Sequence, residues 1–471
     1  MQQPPHTPCC THCQCQFLPA DFTVTQWGDI QPYYDQLLER VLSSPDALRQ
    51  WFIDRSMLEE ALAEDMGWLY IRMTCDTTND TYRERYEYYV KEILPKIAPI
   101  NHMLNQKAVA CPHAQVLQRE EGFDILLRCI ERSLQVYRPE NIPIQTRTQL
   151  KAHEYSALAS AKTVVIDGQE VTLQQAGVHL EALDRDLRQA VYTQINDRRL
   201  QDKGTLDDIY TSLIQDRHQM AINAGFSNFC DYAFVVMLRF DYTPEDCFAF
   251  HKAVEREVVP ILSVLSQERQ LAMKIPVIKP WDVQVDPMGR PPLKPFDHAE
   301  ELLQKTITVF DRLDPFLGDC LRTMQSMGHF DLASRKGKAP GGYNYPLDKT
   351  GVPFIFMNAT STLRDMCTML HEGGHAVHAF LTQGLLLHDF KQLPSEIAEL
   401  ASMSMELLTM EHWDVFFPDQ GDLRRAKKQH LAQIVHTLAW VATIDKFQHW
   451  VYETPKHSLE QRRDAWTEIL E

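Results

Sequence analysis

His371, Glu372 and His375 stand at a spacing that only a helix makes useful. At about 100° per residue, side chains four apart lie one turn above one another and about 40° apart around the axis. Both imidazoles can then reach one divalent cation, and Glu372 projects close enough to meet a water on that ion. The neighbouring sequence supplies such a helix: Thr362 and Asp365 form a capping-box pattern, apolar residues continue to Phe380, and Gly384 ends the run. Gly373 and Gly374 fill two of the intervening positions, although each costs a helix about 1 kcal/mol relative to Ala. Two reasons for them stay open at this level: another backbone packing closely on that face, or clearance above the ion.

Two imidazoles do not complete a metal site, so a third ligand must come from elsewhere. An elongated motif would put Gly and then His three and six residues beyond His375, where this chain has His378 and Leu381. A carboxylate on a second helix is the remaining option. Pro394-Ser395 opens one, with Glu396, Glu399 and Glu406 as acidic candidates and Ile397, Leu400, Leu407 and Leu408 expected in the core. Glu396 falls in the first turn, where a carboxylate complements the helix dipole. Glu399 and Glu406 share a face with Ser402, so one can bind the ion while the other hydrogen-bonds a ligand histidine. We take Glu399 as the ligand and Glu406 as a neighbour that supports a ligand histidine; His378 is either a second such neighbour or an ordinary packed histidine. The donor set suits zinc, one ion per chain.

The rest of the chain has to build a scaffold for these two helices. Ser44-Pro45 is a helix start followed by Leu48, Trp51, Phe52, Leu58, Leu62 and Met66; further periodic runs cover 82–97 and 123–136, with breaks expected at Pro95 and Pro99. Helices are expected again over 180–200, 206–224 and 244–273, and a Pro-rich loop over 280–295. One interruption, Thr163 to Leu173, reads as a hairpin about Asp167-Gly168. Val352 to Asn358 reads as a short strand whose Pro353 places it at a sheet edge, either a simple margin or a surface for an extended peptide. The expected fold class is mainly α, multi-helical, with a small β-hairpin and edge-sheet element.

Composition narrows the function. With 471 residues, 44% of them apolar and 24% charged, the chain can bury a full core. A formal net charge of -17 without a long basic run argues against nucleic acid as partner. No secretory leader pattern opens the chain and no stretch of about eighteen apolar residues occurs, so no membrane and a cytoplasmic location are expected. Seven scattered cysteines, from Cys75 to Cys367, are expected to be reduced. Cys9, Cys10, Cys13 and Cys15, with His6 and His12, crowd residues 1–16, expected to be a flexible tail, either a small metal clip or a frayed extension.

His371-Glu372-Gly373-Gly374-His375-Ala376-Val377-His378 resembles the His-Glu-x-Gly-His-x-x-His signature of the thimet oligopeptidase and oligoendopeptidase F family, most closely its oligoendopeptidase F-like branch. Ser395-Glu396-Ile397-Ala398-Glu399-Leu400-Ala401-Ser402 is similar to that family's ligand-bearing helix, with the metal glutamate falling on Glu399. The resemblance runs from about Phe17 to the end. It implies a zincin-type helical fold around a deep substrate cleft, with an N-terminal helical lobe over 17–175 and a catalytic region over 176–471. It also implies that Gly341, Gly342, Tyr343, Phe356 and Asn358 line the substrate channel. The implied activity is that of a zinc-dependent endopeptidase for short peptides, with Glu372 as general base and no obligate protein partner.

One departure stands against this. The family continues to a segment with substrate-contacting His and Tyr residues, whereas this chain ends at Glu471, in a helix opened by Ser458 and Gln461 whose apolar positions Leu459, Trp466, Ile469 and Leu470 are still running. A truncated catalytic region is therefore expected, and a weak or inactive zinc-bearing peptide binder is the alternative. An aminopeptidase is a third reading, but no motif for a substrate amine accompanies it.

Overall fold

Ser44 accepts the Ala47 N–H and Pro45 takes the first helical position, which starts a helix over Pro45–Cys75. The computed structural model describes residues 17–19 and 21–471, so the cysteine-rich segment over 1–16 lies outside the described residues. Leu48, Trp51, Phe52 and Leu58 of this helix enter an N-terminal core with Ile30, Tyr34, Leu37, Ile93, Leu104, Phe123 and Ile130. The break expected at Pro99 does not occur: it lies inside the helix Leu94–Ala110, which follows a π-helical turn over Tyr89–Ile93. Burial of Ile97 and Leu104 on either side holds both halves in place, and this offsets the one hydrogen bond that proline removes.

The hairpin forms as its turn chemistry requires. Strands β1 (Thr163–Ile166) and β2 (Gln169–Thr172) pair antiparallel, and Asp167 and Gly168 both have positive φ, +51° and +78°, as a two-residue turn of this hand demands. Val164 and Ile166 pack with Leu180, Val191 and Ile195. The Pro-rich loop is fastened rather than free: Asp282, fully buried, accepts hydrogen bonds from Arg185 and Arg188, and Leu293 and Phe296 enter the second core.

A three-stranded sheet backs the site: β3 (Phe330–Ala333), β4 (Tyr343–Tyr345) and β5 (Phe354–Ala359), in the order β3-β5-β4. The strand expected at the edge, β5, is central, with β3 parallel on one side and β4 antiparallel on the other. Pro353 precedes the first strand residue, so its missing N–H costs the ladder nothing. β3 and β4 are the two edges of the sheet, β4 being the three residues that follow Gly341 and Gly342. Helix Pro45–Cys75 holds the β4 edge from behind: Thr74 Oγ1 pairs with the Tyr343 hydroxyl at 2.7 Å, and a Cβ on Gly67 would come within 2.6 Å of the Tyr345 ring.

The second core gathers Leu302, Phe310, Leu321, Ile355, Met357, Met366, Met369, Leu370, Ala376 and Trp413. It is the bed on which the histidine-bearing helix lies. Among the described residues the seven cysteines from Cys75 to Cys367 form no disulfide. Among the described residues no helix is long and apolar enough to cross a membrane.

Candidate active site

The helix Leu363–Thr382 starts at the Thr362 cap: Thr362 Oγ1 accepts the Asp365 N–H at 3.2 Å, and the Asp365 carboxylate accepts the Thr362 N–H at 3.0 Å and the Thr360 N–H at 2.7 Å. Two turns on it presents His371 and His375, their rings edge to face with centroids 4.9 Å apart. The helix Ser395–Leu408 crosses it and brings Glu399 to both: Glu399 Oε2 lies 3.2 Å from His371 Nε2 and 3.8 Å from His375 Nε2. One donor atom from each of the three residues falls within 4.8 Å of the others. Two imidazole nitrogens and a carboxylate oxygen at this separation fit a zinc-sized cation.

The two glycines explain how the helices come so close. A Cβ on Gly374 would lie 2.8 Å from the Ser402 Cα and 3.3 Å from the Ala401 carbonyl, so the backbone of the second helix passes over this position. A Cβ on Gly373 would meet the Phe310 ring at 2.7 Å. Of the two reasons left open by the sequence, close packing is the one realised.

Glu406, two turns beyond Glu399, accepts the His371 Nδ1–H at 2.8 Å, which turns Nε2 toward Glu399. Its other oxygen stands 3.5 Å from His430 Nε2, and His430 Nδ1 reaches the Cys367 sulfur at 3.5 Å. His430, on the helix Gln420–Glu453, was not singled out from sequence; a buried histidine on a long helix carries no local signal of its partners. Ser402 donates to Glu399 Oε2 at 3.2 Å and steadies it. Glu396 points elsewhere, to the Tyr242 hydroxyl and to Arg239 Nε at 3.3 Å.

The electrostatics follow from burial among acids. Burial lowers the proton affinity of His371, but Glu399 and Glu406 outweigh it and push the imidazole up to about 10. Burial and the neighbouring His371 lower His375. Glu372 is pushed up to about 7, chiefly by burial; His371 and the main-chain N–H of Asn344 offset part of this.

The Ile397, Leu400, Leu407 and Leu408 expected in the core are instead 49%, 62%, 47% and 59% exposed. The inward face of their helix is set by Ser402 and Met405 against Gly374, and the four aliphatic residues fall outside it.

A model of peptidase family M3 matches residues 178–471, and a model of the M3 N-terminal domain matches residues 17–137. The chain belongs to peptidase family M3. Oligopeptidase PepF of Bacillus subtilis (strain 168) is 32% identical to this M3 chain over 82 residues, 17% of this chain and 12% of the relative. The aligned segment thus spans about an eighth of that relative. A solved oligoendopeptidase F from Bacillus anthracis str. Ames shares the fold with a TM-score of 0.91 at 23% identity, over 96% of this chain and 82% of that one. PZ peptidase A, solved with an inhibitor, gives 0.90 at 25% identity over 96% and 80%. The mainly α fold with its small sheet is that of these neighbours.

In this M3-family chain the residues assigned by resemblance to the channel divide. Gly341 and Gly342 are exposed, and Gly342 lies against Glu372: a Cβ there would be 3.6 Å from Glu372 Oε1. Asn358 donates to the Ala339 and Gly341 carbonyls at 2.8 and 2.9 Å and so shapes the glycine loop. Tyr343 is tied to Thr74 and stacks on Phe356 at 4.7 Å. Phe356 is fully buried, which corrects its assignment to a channel wall: on a central strand its side chain faces the core. His378, one turn beyond His375, makes no hydrogen bond to either ligand histidine among the described residues.

Proposed function

We propose that this M3 peptidase is a zinc-dependent endopeptidase acting on short peptides. The observation that carries this reading is the convergence of Glu399 on both His371 and His375, beside a buried Glu372. His371, His375 and Glu399 would hold the ion, which, when bound, makes a water more acidic and a carbonyl more electrophilic. Glu372 takes a proton from the attacking water and returns it to the leaving amine. Its burial favours that double role, since burial raises the carboxyl above the usual carboxylate range and so eases its uptake of a proton.

The β4 edge supports a peptide substrate. Tyr343 to Tyr345 form the outer strand beside Glu372, and the Asn344 N–H already reaches that carboxylate, so an extended chain laid along β4 would run past the site. The preference for short peptides rests on the family resemblance and on the names of PepF and oligoendopeptidase F among its relatives.

The test is cleavage of a quenched peptide panel, before and after chelation and zinc restoration, with products read by mass spectrometry. Internal cleavage lost on chelation and regained with zinc is expected; Glu372→Gln should abolish it while keeping about one zinc at this site. Full activity in that variant, or stepwise release of N-terminal residues, would overturn the reading.

A further inference from the structure

A second group of ligating side chains lies on other helices, between Phe229–Val236 and the C-terminal end of Gln420–Glu453. His449 and Glu453 stand one turn apart on the long helix, as His371 and His375 do on theirs, and Cys230 faces them from the short one. One donor atom of each lies within 4.8 Å of the others.

His449 is 5% exposed, and the rings of Phe248 and Phe234 flank it at 4.8 and 6.4 Å. Among the described residues its Nδ1 is buried without a hydrogen-bond partner, the Glu453 carboxylate standing 3.7 Å away, beyond hydrogen-bond reach. A buried ring nitrogen without a partner is rare, because nothing replaces its lost hydration. The Cys230 thiol beside it is free and buried. On the opposite side of the ring, Nε2 faces Asp445 Oδ2 at 3.7 Å, and Asp445 is itself held by His251 Nε2 at 2.7 Å. That separation too is beyond hydrogen-bond reach, so Asp445 would steady a metal-bound imidazole from this side only by closing it.

We propose that Cys230, His449 through Nδ1, and Glu453 form a second transition-metal site, suited to zinc. Thiolate, imidazole and carboxylate are the donors this ion takes, and the 3.7 Å between Nδ1 and Glu453 Oε1 has to close by only a few tenths of an ångström to match the edge of about 3.3–3.4 Å of a tetrahedron with nitrogen and oxygen bonds of about 2.0–2.1 Å. Cys247, Asp445 and His449 are also within 4.8 Å of one another. That trio would use Nε2, draw Asp445 away from His251, and leave Nδ1 unpaired, so the Cys230 set accounts for more of the geometry. Filled, the site clamps the short helix to the long one; its effect is on stability and not on peptide chemistry.

Cobalt(II) distinguishes the two centres, because His371, His375 and Glu399 include no sulfur and cannot give a sulfur-to-cobalt charge-transfer band. The experiment uses the full chain with Cys9, Cys10, Cys13 and Cys15 changed to serine, which removes the thiols of the N-terminal segment. This parent should show the band in the near ultraviolet and bind one more equivalent than its Cys230→Ala variant, which should lack it. Glu453→Gln, at a half-exposed side chain, should keep the fold and weaken the band's cobalt affinity at least tenfold. The band should persist in His375→Ala, so failure at the catalytic centre is read separately. Absence of the band in the parent, its persistence in Cys230→Ala, its loss in Cys247→Ala alone, or unchanged affinity in Glu453→Gln would each overturn the assignment.

Discussion

Glu406 holds His371 through Nδ1 at 2.8 Å, on the side of the ring away from Glu399. The histidine is thereby fixed in orientation before any cation arrives. Glu406→Ala is expected to weaken zinc binding about 10–100-fold, measured by competition with a chromogenic chelator. It also takes away the carboxylate beside His430. Wild-type affinity would mean that helix packing alone orients His371.

The crossing of the two site helices depends on Gly374 more than on Gly373. A methyl at Gly374 meets the backbone of Ser402, whereas one at Gly373 meets the buried Phe310 ring, which belongs to neither site helix. Gly374→Ala should destabilise the fold by about 1–3 kcal/mol and lower zinc affinity as Glu399 is pushed away. Gly373→Ala should cost less in both respects. Denaturant midpoints and zinc titrations on the pair would expose a reversed order.

Zinc should compete with a proton at this site. Without a cation His371 is raised from 6.5 to about 10, so its proton stabilises the fold fully below about pH 6.5 and that contribution is lost as pH rises through about 10. Binding has to displace this proton, and apparent zinc affinity should rise about tenfold per pH unit between about pH 7 and 9. Calorimetric titrations in buffers of different ionisation enthalpy would report the proton directly. A flat profile would contradict it.

Asp282 anchors the Pro-rich loop to the helix Arg185–Gln201 through Arg185 and Arg188. The hydrogen bonds from Arg185 lead in bringing its carboxyl down from 3.8 to about 2. Its stabilising contribution is therefore present above about pH 3.8 and lost as pH falls through about 2. Asp282→Asn leaves Arg188 buried without its counter-charge and should destabilise by about 3–5 kcal/mol. A loss under 1 kcal/mol in chemical denaturation would show that the loop is held by Leu293 and Phe296 instead.

What could be read from the chain alone is what short-range geometry dictates. The Thr362 cap, the Asp167-Gly168 turn, the placing of His371 and His375 one turn apart, and the common face of Glu399 and Glu406 all follow from spacings within a few residues, and each is present in the fold. Tertiary structure alone decided which surfaces meet. It put β5 between two strands, turned Phe356 into the core, left Ile397, Leu400, Leu407 and Leu408 outside, and brought His430 to Glu406 from a helix that begins twelve residues later than Leu408. Periodicity marks a face as apolar, but what covers that face depends on elements far away along the chain, and here two missing side chains, at Gly373 and Gly374, set how closely those elements approach.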